Sequence, residues 1–123
     1  GWPNGRIDVK KIPALFSCSR IILGIGTIGH CTDFYALKMR DFDGPMSGSL
    51  YLTHDNHDLY NLYEIGKEIA VYRSPEECAD KVVYYLKHPD EAETIGQAGH
   101  IRAESEHTWE KRFDKVLKVI GLR

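Results

Sequence analysis

Short apolar runs separated by more polar segments dominate the first 72 residues of the chain. These runs occupy residues 20–25 (RIILGI), 50–53 (LYLT) and 68–72 (EIAVY). Apolar runs of this length are typical of strands in a parallel sheet, which is buried on both faces. The sequence therefore predicts three short strands, and up to two helical turns between the second and third strands that end at Gly66.

Two helices are predicted on either side of the first strand. Asp8 is a suitable N-cap for a short helix that extends to Cys18 and follows an irregular lead-in over residues 1–8. After the first strand, a helix capped by Asp33 is expected over residues 33–43, ended by the Gly-Pro pair that follows.

Three helix starts follow one another in the C-terminal half, which is predicted to be mainly helical. Ser74 with Pro75 and Glu77 forms a capping box, Pro89 begins a second helix, and Thr108 caps a third. The side chains expected to face inward are Cys78, Val82 and Leu86 on the first of these helices and Ala92, Ile95 and Ala98 on the second. The third helix carries a wide apolar stripe of Trp109, Phe113, Val116, Leu117 and Ile120.

This order of elements predicts an α/β fold, namely a partial Rossmann-like domain with short parallel strands and a helical C-terminal half. Three short strands offer the apolar stripe of the last helix little surface to pack against. We therefore expect residues 1–123 to be a single, truncated domain whose missing surface lies upstream of Gly1 or on a partner. The absence of an initial Met agrees with a fragment boundary.

The composition is that of an ordinary globular protein. Of the 123 residues, 42% are hydrophobic and 28% are charged, and the formal net charge is −2. These values argue against disorder and against nucleic-acid binding. The three cysteines form no CxxC pair, so a reduced, cytoplasmic protein is expected. No apolar run is long enough for a transmembrane segment.

The first candidate ligand loop is glycine-rich. Residues 24–29 (GIGTIG) have the G-x-G-x-x-G spacing of a dinucleotide-binding loop. The acid that such proteins use on the ribose would fall about 20 residues later, near residues 49–53, where the sequence has none. Plain turn glycines are therefore the favoured interpretation, and half of a Rossmann oxidoreductase is kept only as a minor alternative.

The second candidate loop runs from Lys38 to Gly48. Lys38 and Arg40 are two apart on the predicted helix and diverge by roughly 200°, so one of them is expected to face a ligand. Asp43 could accept hydrogen bonds from two ribose hydroxyls. Gly44 and Gly48 would let backbone N–H groups approach an anion. The alternative is a solvated, charged helix end.

Residues 38–48 (KMRDFDGPMSG) and the strand after them resemble the C-terminal domain of group 1 glycosyltransferases, especially the branch related to spore-maturation CgeB-like proteins. That branch has a basic residue, Arg, Phe and Glu at matching spacing, followed by a turn of small residues and glycine. Further segments match in the same order, including EIAVY at 68–72, SPEE at 74–77 and HTW at 107–109. The resemblance covers about residues 15–118.

The resemblance implies a GT-B fold, in which two Rossmann-like domains face a cleft and the C-terminal one holds a nucleotide-diphosphate-sugar donor. Lys38 or Arg40 would neutralise the diphosphate without a metal, so no cofactor is expected. Asp43 takes the position of the family's ribose-binding Glu, and amides near Ser47 and Gly48 would assist. The catalytic residues are unknown, because such enzymes commonly carry them in the N-terminal domain.

Two positions depart from the family pattern. Asp43 is one methylene shorter than the usual Glu, and the second acid of retaining members would fall at Tyr35. The resemblance therefore does not predict whether transfer retains or inverts the configuration of the sugar.

A polar cluster of two histidines and two aspartates follows the second strand, at residues 54–58 (HDNHD). A His-x-x-His pair flanked by Asp can bind a metal, but a third ligand group at helical spacing is missing. Because this loop lies on the ligand side of a parallel sheet, a contact to the donor by His54 or Asn56 is favoured and no metal site is expected.

These features together predict the donor-binding part of a glycosyltransferase, which transfers a sugar to an unknown acceptor and is inactive without its N-terminal domain. The alternative is a non-catalytic binding or assembly module of the same fold.

Overall fold

The computed structural model describes residues 5–29, 31 and 33–123, so the first four residues of the expected lead-in lie outside it. One parallel sheet has the strand order β1 (Ile21–Leu23), β2 (Leu50–His54) and β3 (Ala70–Tyr72). The helices are α1 (Ile12–Ser17), α2 (Arg40–Met46), α3 (Pro75–Lys87), α4 (Pro89–Glu106) and α5 (Trp109–Val119), with 3₁₀ turns at Val9–Lys11 and His57–Asn61. The predicted α/β, Rossmann-like fold with short parallel strands and a helical C-terminal half is confirmed.

β2 is the central strand and the most buried part of the sheet. Its side chains alternate between two apolar clusters, one on each face. On one face Tyr51 packs with Ile22, Leu59, Tyr63, Ile69 and Val71. On the other face Leu50 and Leu52 pack with Ala70, Tyr72, Ala92 and Ile95. Burial on both faces explains why the strand is apolar at successive positions rather than at alternate ones.

The elements at the start of the chain are shorter than predicted. Asp8 caps a 3₁₀ turn that leads into α1, accepting a hydrogen bond from Lys10 N–H at 3.0 Å. The strand expected over residues 20–25 is reduced to β1, in which Ile22 is buried while Leu23 is 47% exposed. β1 is less buried than expected because it is an edge strand of the sheet.

α4 approaches the backbone at the amino end of the sheet closely. A Cβ atom on Gly96 would lie 2.5 Å from the Gly48 carbonyl oxygen, and one on Gly99 would overlap the Glu68 carbonyl oxygen. Ala98, which was expected to face inward, is only half-buried. The contact face of this helix therefore depends on glycines that an apolar pattern does not reveal.

The prediction of a helix over residues 33–43 is wrong. The expected N-cap is followed by extended chain, in which Tyr35 pairs with Thr27 in an isolated antiparallel bridge. α2 begins later because Asp41 Oδ2 accepts a hydrogen bond from Lys38 N–H at 2.6 Å, as the acidic residue of a capping box does. Lys38 therefore precedes the helix instead of lying on it.

The Gly-Pro pair that was expected to end that helix lies inside α2. Pro45 has no N–H, and the carbonyl that it leaves unpaired in the helix belongs to Asp41, four residues earlier. The Tyr63 hydroxyl donates to this carbonyl oxygen at 2.9 Å and replaces the missing helical bond. Gly44 lies against the Tyr51 ring, where a side chain would not fit.

α3 begins as predicted but presents a different residue to the core near its end. Ser74 Oγ accepts a hydrogen bond from Glu77 N–H at 3.1 Å, as in a capping box. The prediction that Leu86 faces inward is wrong, because Leu86 is 46% exposed and Tyr85 packs against the core instead. At about 100° per residue, Tyr85 lies nearer than Leu86 to the direction of Cys78.

α5 has the predicted cap and an apolar stripe that is largely uncovered. The Thr108 hydroxyl accepts a hydrogen bond from Lys111 N–H. Four side chains of the stripe are more than half exposed, namely Trp109, Phe113, Val116 and Ile120. Within the part of the chain that the structure describes, the stripe therefore has little to pack against, as its composition predicts.

Candidate functional site

All three strands are parallel, so their carboxyl ends meet at one edge of the sheet. The described residues of the loop at 24–38, which follows β1, fold back over this edge. Ala36 N–H donates to the Gly26 carbonyl oxygen at 3.0 Å, next to the bridge between Thr27 and Tyr35. We call this loop and the ends of β2 and β3 the carboxyl edge. Open parallel α/β sheets bind their ligands at this edge.

Two cationic side chains lie at the carboxyl edge. Lys38 Nζ donates to the Thr27 carbonyl oxygen at 2.6 Å, and Arg40 Nη1 donates to the Leu23 carbonyl oxygen at 3.3 Å. Both residues are exposed. Neither is ion-paired with a carboxylate in the described part of the chain. The edge therefore carries positive charge that faces solvent.

His54, the last residue of β2, lies between two tyrosine rings at the same edge. Its ring stacks on Tyr35 with centroids 4.6 Å apart and meets Tyr72 edge-on at 5.2 Å. The Tyr72 hydroxyl donates to the Gly24 carbonyl oxygen at 2.7 Å, and burial raises the pKa of this hydroxyl. His54 Nδ1 lies 3.2 Å from the Asp55 carbonyl oxygen. These contacts hold the imidazole against the loop that follows β1.

An ion pair that the sequence analysis missed joins the ends of β2 and β3. Arg73 Nε lies 2.9 Å from Asp55 Oδ2, and the Tyr60 hydroxyl donates to Asp55 Oδ1 at 3.0 Å. Opposite charges that directly follow two neighbouring parallel strands are the signal that could have revealed it. The Asp55 carboxylate is therefore already occupied by donors of the protein.

The other polar residues after β2 have structural contacts. Asn56 is buried, and its side-chain oxygen accepts a hydrogen bond from Asp58 N–H at 3.1 Å, which caps the 3₁₀ turn. His57 is exposed on that turn. Among the residues that the structure describes, no group of three or more His, Cys, Asp or Glu side chains could hold a metal ion.

A buried polar cluster lies beneath the two cations. Asp41 is 4% exposed, and the Tyr51 hydroxyl donates to its Oδ1 at 2.7 Å. Tyr63 donates to the backbone carbonyl oxygen of the same residue. Burial raises the pKa of both tyrosine hydroxyls. Asp41 was not among the residues predicted for the site, although its position three residues after Lys38 is the spacing of a capping acid.

The remaining predicted donor-binding residues lie further along α2. Asp43 is an exposed residue of α2 and lines a cavity of about 220 Å³ between α2 and α5. Gly44 is buried. Ser47 Oγ donates to the Gly44 carbonyl oxygen at 2.6 Å, and Gly48 N–H donates to the Pro45 carbonyl oxygen at 3.0 Å. The Gly48 amide is therefore used within the protein.

The direction of α2 separates Ser47 and Gly48 from the two cations. The helix starts at the carboxyl edge and leads to the beginning of β2, and seven residues of α-helix span about 10 Å. The structure thus brings Lys38, Arg40 and His54 to one edge of the sheet, whereas Ser47 and Gly48 lie at the opposite edge.

Comparison with family models matches residues 1–118 to the glycosyl transferase-like family. The chain belongs to the glycosyl transferase-like family. Comparison with curated proteins and with solved structures gives no significant match. The parallel α/β sheet of this glycosyl transferase-like domain agrees with the family, and family membership implies a sugar donor and an acceptor.

The described residues of the glycosyl transferase-like domain form five α-helices. None of its helices combines the length and the apolar character needed to cross a bilayer. Cys18, Cys31 and Cys78 are free thiols.

Proposed function

We propose that this glycosyl transferase-like domain binds the nucleoside diphosphate part of a nucleotide-sugar donor at the carboxyl edge. The observation that supports the proposal is the convergence of Lys38, Arg40 and His54 at the edge where parallel sheets bind ligands. A diphosphate carries negative charge, and guanidinium and ammonium groups form the stronger, charge-assisted hydrogen bonds with phosphate oxygens.

The two cations would serve the departing nucleoside diphosphate as well as the bound donor. Charge builds up on the diphosphate as the sugar leaves, and positive groups that are already in place stabilise it without reorganisation. Lys38 and Arg40 would fill this role without a metal ion.

Asp43 is proposed as the ribose contact because its exposed carboxylate is one helical turn from Arg40. The proposal does not include Ser47 and Gly48, which lie at the opposite edge, or Gly44, which is buried. The CgeB-like branch, a facing N-terminal domain and a cytoplasmic location stay predictions from the sequence.

The proposal is tested with uridine and guanosine diphosphate, titrated calorimetrically into the full-length protein. Arg40→Ala and Lys38→Ala should each lower the affinity about tenfold, the usual effect of losing a hydrogen bond between charged groups. Arg20→Ala is the matched control, because Arg20 directly precedes β1 and lies at the opposite, amino edge. If neither diphosphate binds, or if Arg20→Ala weakens binding as much as Arg40→Ala, the proposal is wrong.

A non-catalytic binding or assembly module is the second candidate, and the exposed apolar stripe of α5 favours it because such surfaces commonly contact partners. Turnover separates the two candidates. A glycosyltransferase consumes a nucleotide sugar in the presence of its acceptor or, slowly, of water, whereas a binding module releases no nucleoside diphosphate.

A further inference from the structure

Asp41 is the most buried carboxylate among the described residues and takes no part in the donor site proposed above. Each of its oxygens serves a different element of the fold. Oδ1 accepts a hydrogen bond from the Tyr51 hydroxyl at 2.7 Å, and Oδ2 accepts one from the backbone N–H of Lys38 at 2.6 Å. A carboxylate is tolerated in such a place because its oxygens have hydrogen-bond donors.

The first contact connects Asp41 to the centre of the sheet. Tyr51 is 1% exposed and belongs to β2, and its hydroxyl lies near the Thr53 hydroxyl. Both hydroxyl oxygens lie so close to Gly24 that a Cβ atom on this residue would overlap them. The Asp41 side chain is therefore anchored on the most buried strand of the sheet, close to the start of the loop that follows β1.

The second contact fixes the position where this loop becomes α2. Lys38 precedes the helix and Arg40 is its first residue, so both cations lie within residues 38–41, the segment that this hydrogen bond closes. α2 has seven residues and an internal proline, and a helix of this length is not stable without tertiary contacts. The directions of both cationic side chains therefore depend on how Asp41 is held.

We propose that Asp41 is a positioning residue, which holds Lys38 and Arg40 at the carboxyl edge so that both can reach the diphosphate of the donor. This inference rests on the proposed function. Asp41 itself is buried and does not contact the ligand, so it acts only through the two cations.

The test is a double-mutant cycle on the full-length protein, with guanosine or uridine diphosphate as the titrated ligand. Asp41→Ala should lower the affinity about tenfold in the unsubstituted protein and should have no further effect once Lys38→Ala and Arg40→Ala are both present, because coupled residues are not additive. Asp41→Asn keeps one carbonyl oxygen for Lys38 N–H and should recover most of the affinity.

Tyr63→Phe is the matched control for a general loosening of α2. It removes a hydrogen bond to the Asp41 backbone and leaves both carboxylate contacts in place. The affinity of this variant should be unchanged. Amide hydrogen exchange at Lys38 provides a second measurement, and exchange should be faster in Asp41→Ala than in Tyr63→Phe.

The outcomes separate this inference from the proposed function. If the unsubstituted protein binds neither diphosphate, the proposed function and the inference both fall. If it binds, but Asp41→Ala costs the same affinity with and without the two cations, Asp41 is merely structural and only the inference is overturned. Should Asp41→Ala fail to fold, Tyr51→Phe, which removes the hydroxyl that holds Asp41 Oδ1, is measured in the same two backgrounds. A loss of affinity only where the two cations are present supports the inference, and an equal loss in both backgrounds overturns it.

Discussion

Pro45 occupies a position in α2 at which a proline ordinarily costs about 3 kcal/mol, because it removes one hydrogen bond of the helix and crowds the preceding turn. Tyr63 offsets part of this cost by donating its hydroxyl to the carbonyl that the proline leaves unpaired. The two residues are far apart in the sequence and lie on different elements. Sequence patterns therefore indicated a helix end where the structure has a helix.

Tyr63→Phe should lower the free energy of unfolding by about 1–3 kcal/mol, the cost of a buried carbonyl without a donor. Urea unfolding measures this change, and Tyr60→Phe is the control, since Tyr60 is half exposed and its partner Asp55 keeps Arg73. Equal stability of Tyr63→Phe and the unsubstituted protein would show that the hydroxyl does not compensate for Pro45.

The two buried tyrosines also predict a dependence of stability on pH. Burial raises the pKa of Tyr51 and Tyr63 in the folded protein, so the unfolded chain releases these protons first, from about pH 10 upward. Their contribution to stability is therefore complete below that pH and is lost as pH rises toward the raised values. The free energy of unfolding should fall above about pH 10, and less steeply in Tyr63→Phe. An identical slope in both proteins would contradict the assignment.

At the scale of elements, the sequence predicted what depends on local chemistry and failed where distant contacts decide. The caps at Ser74 and Thr108 were found because a capping hydroxyl and its N–H partner are three residues apart. The start of α2 was misplaced, because the segment before it is held extended by a bridge to Thr27. No property of the local sequence favours that bridge over a helical turn.

The packing of α4 was also beyond the apolar pattern, because its contact face contains two glycines. Gly96→Ala should lower the free energy of unfolding by roughly 1–3 kcal/mol, since the new Cβ would meet the Gly48 carbonyl oxygen and the backbone must shift. Gly29→Ala is the matched control, because a Cβ at that position has no atom within 4 Å. Comparable stability of the two variants in urea unfolding would show that α4 tolerates a wider separation.

At the scale of the whole molecule, the parallel sheet could be predicted from the sequence, whereas which of the named residues lie together could not. His54, Lys38 and Arg40 were named from the sequence and lie at one edge. Ser47 and Gly48 were named with them because they are neighbours in the chain. The path of α2 carries them to the opposite edge, and a one-dimensional pattern does not contain that direction.

The central claim is that this glycosyl transferase-like domain binds a nucleoside diphosphate at the carboxyl edge. Hydrogen-exchange mass spectrometry of the full-length protein, with and without uridine or guanosine diphosphate, tests it most directly. We expect slower exchange in peptides that cover Gly24 to Gly26, Lys38 to Arg40 and His54, and unchanged exchange at Ser47 to Ser49. Slower exchange confined to the amino edge, or none anywhere with saturating ligand, would contradict the account.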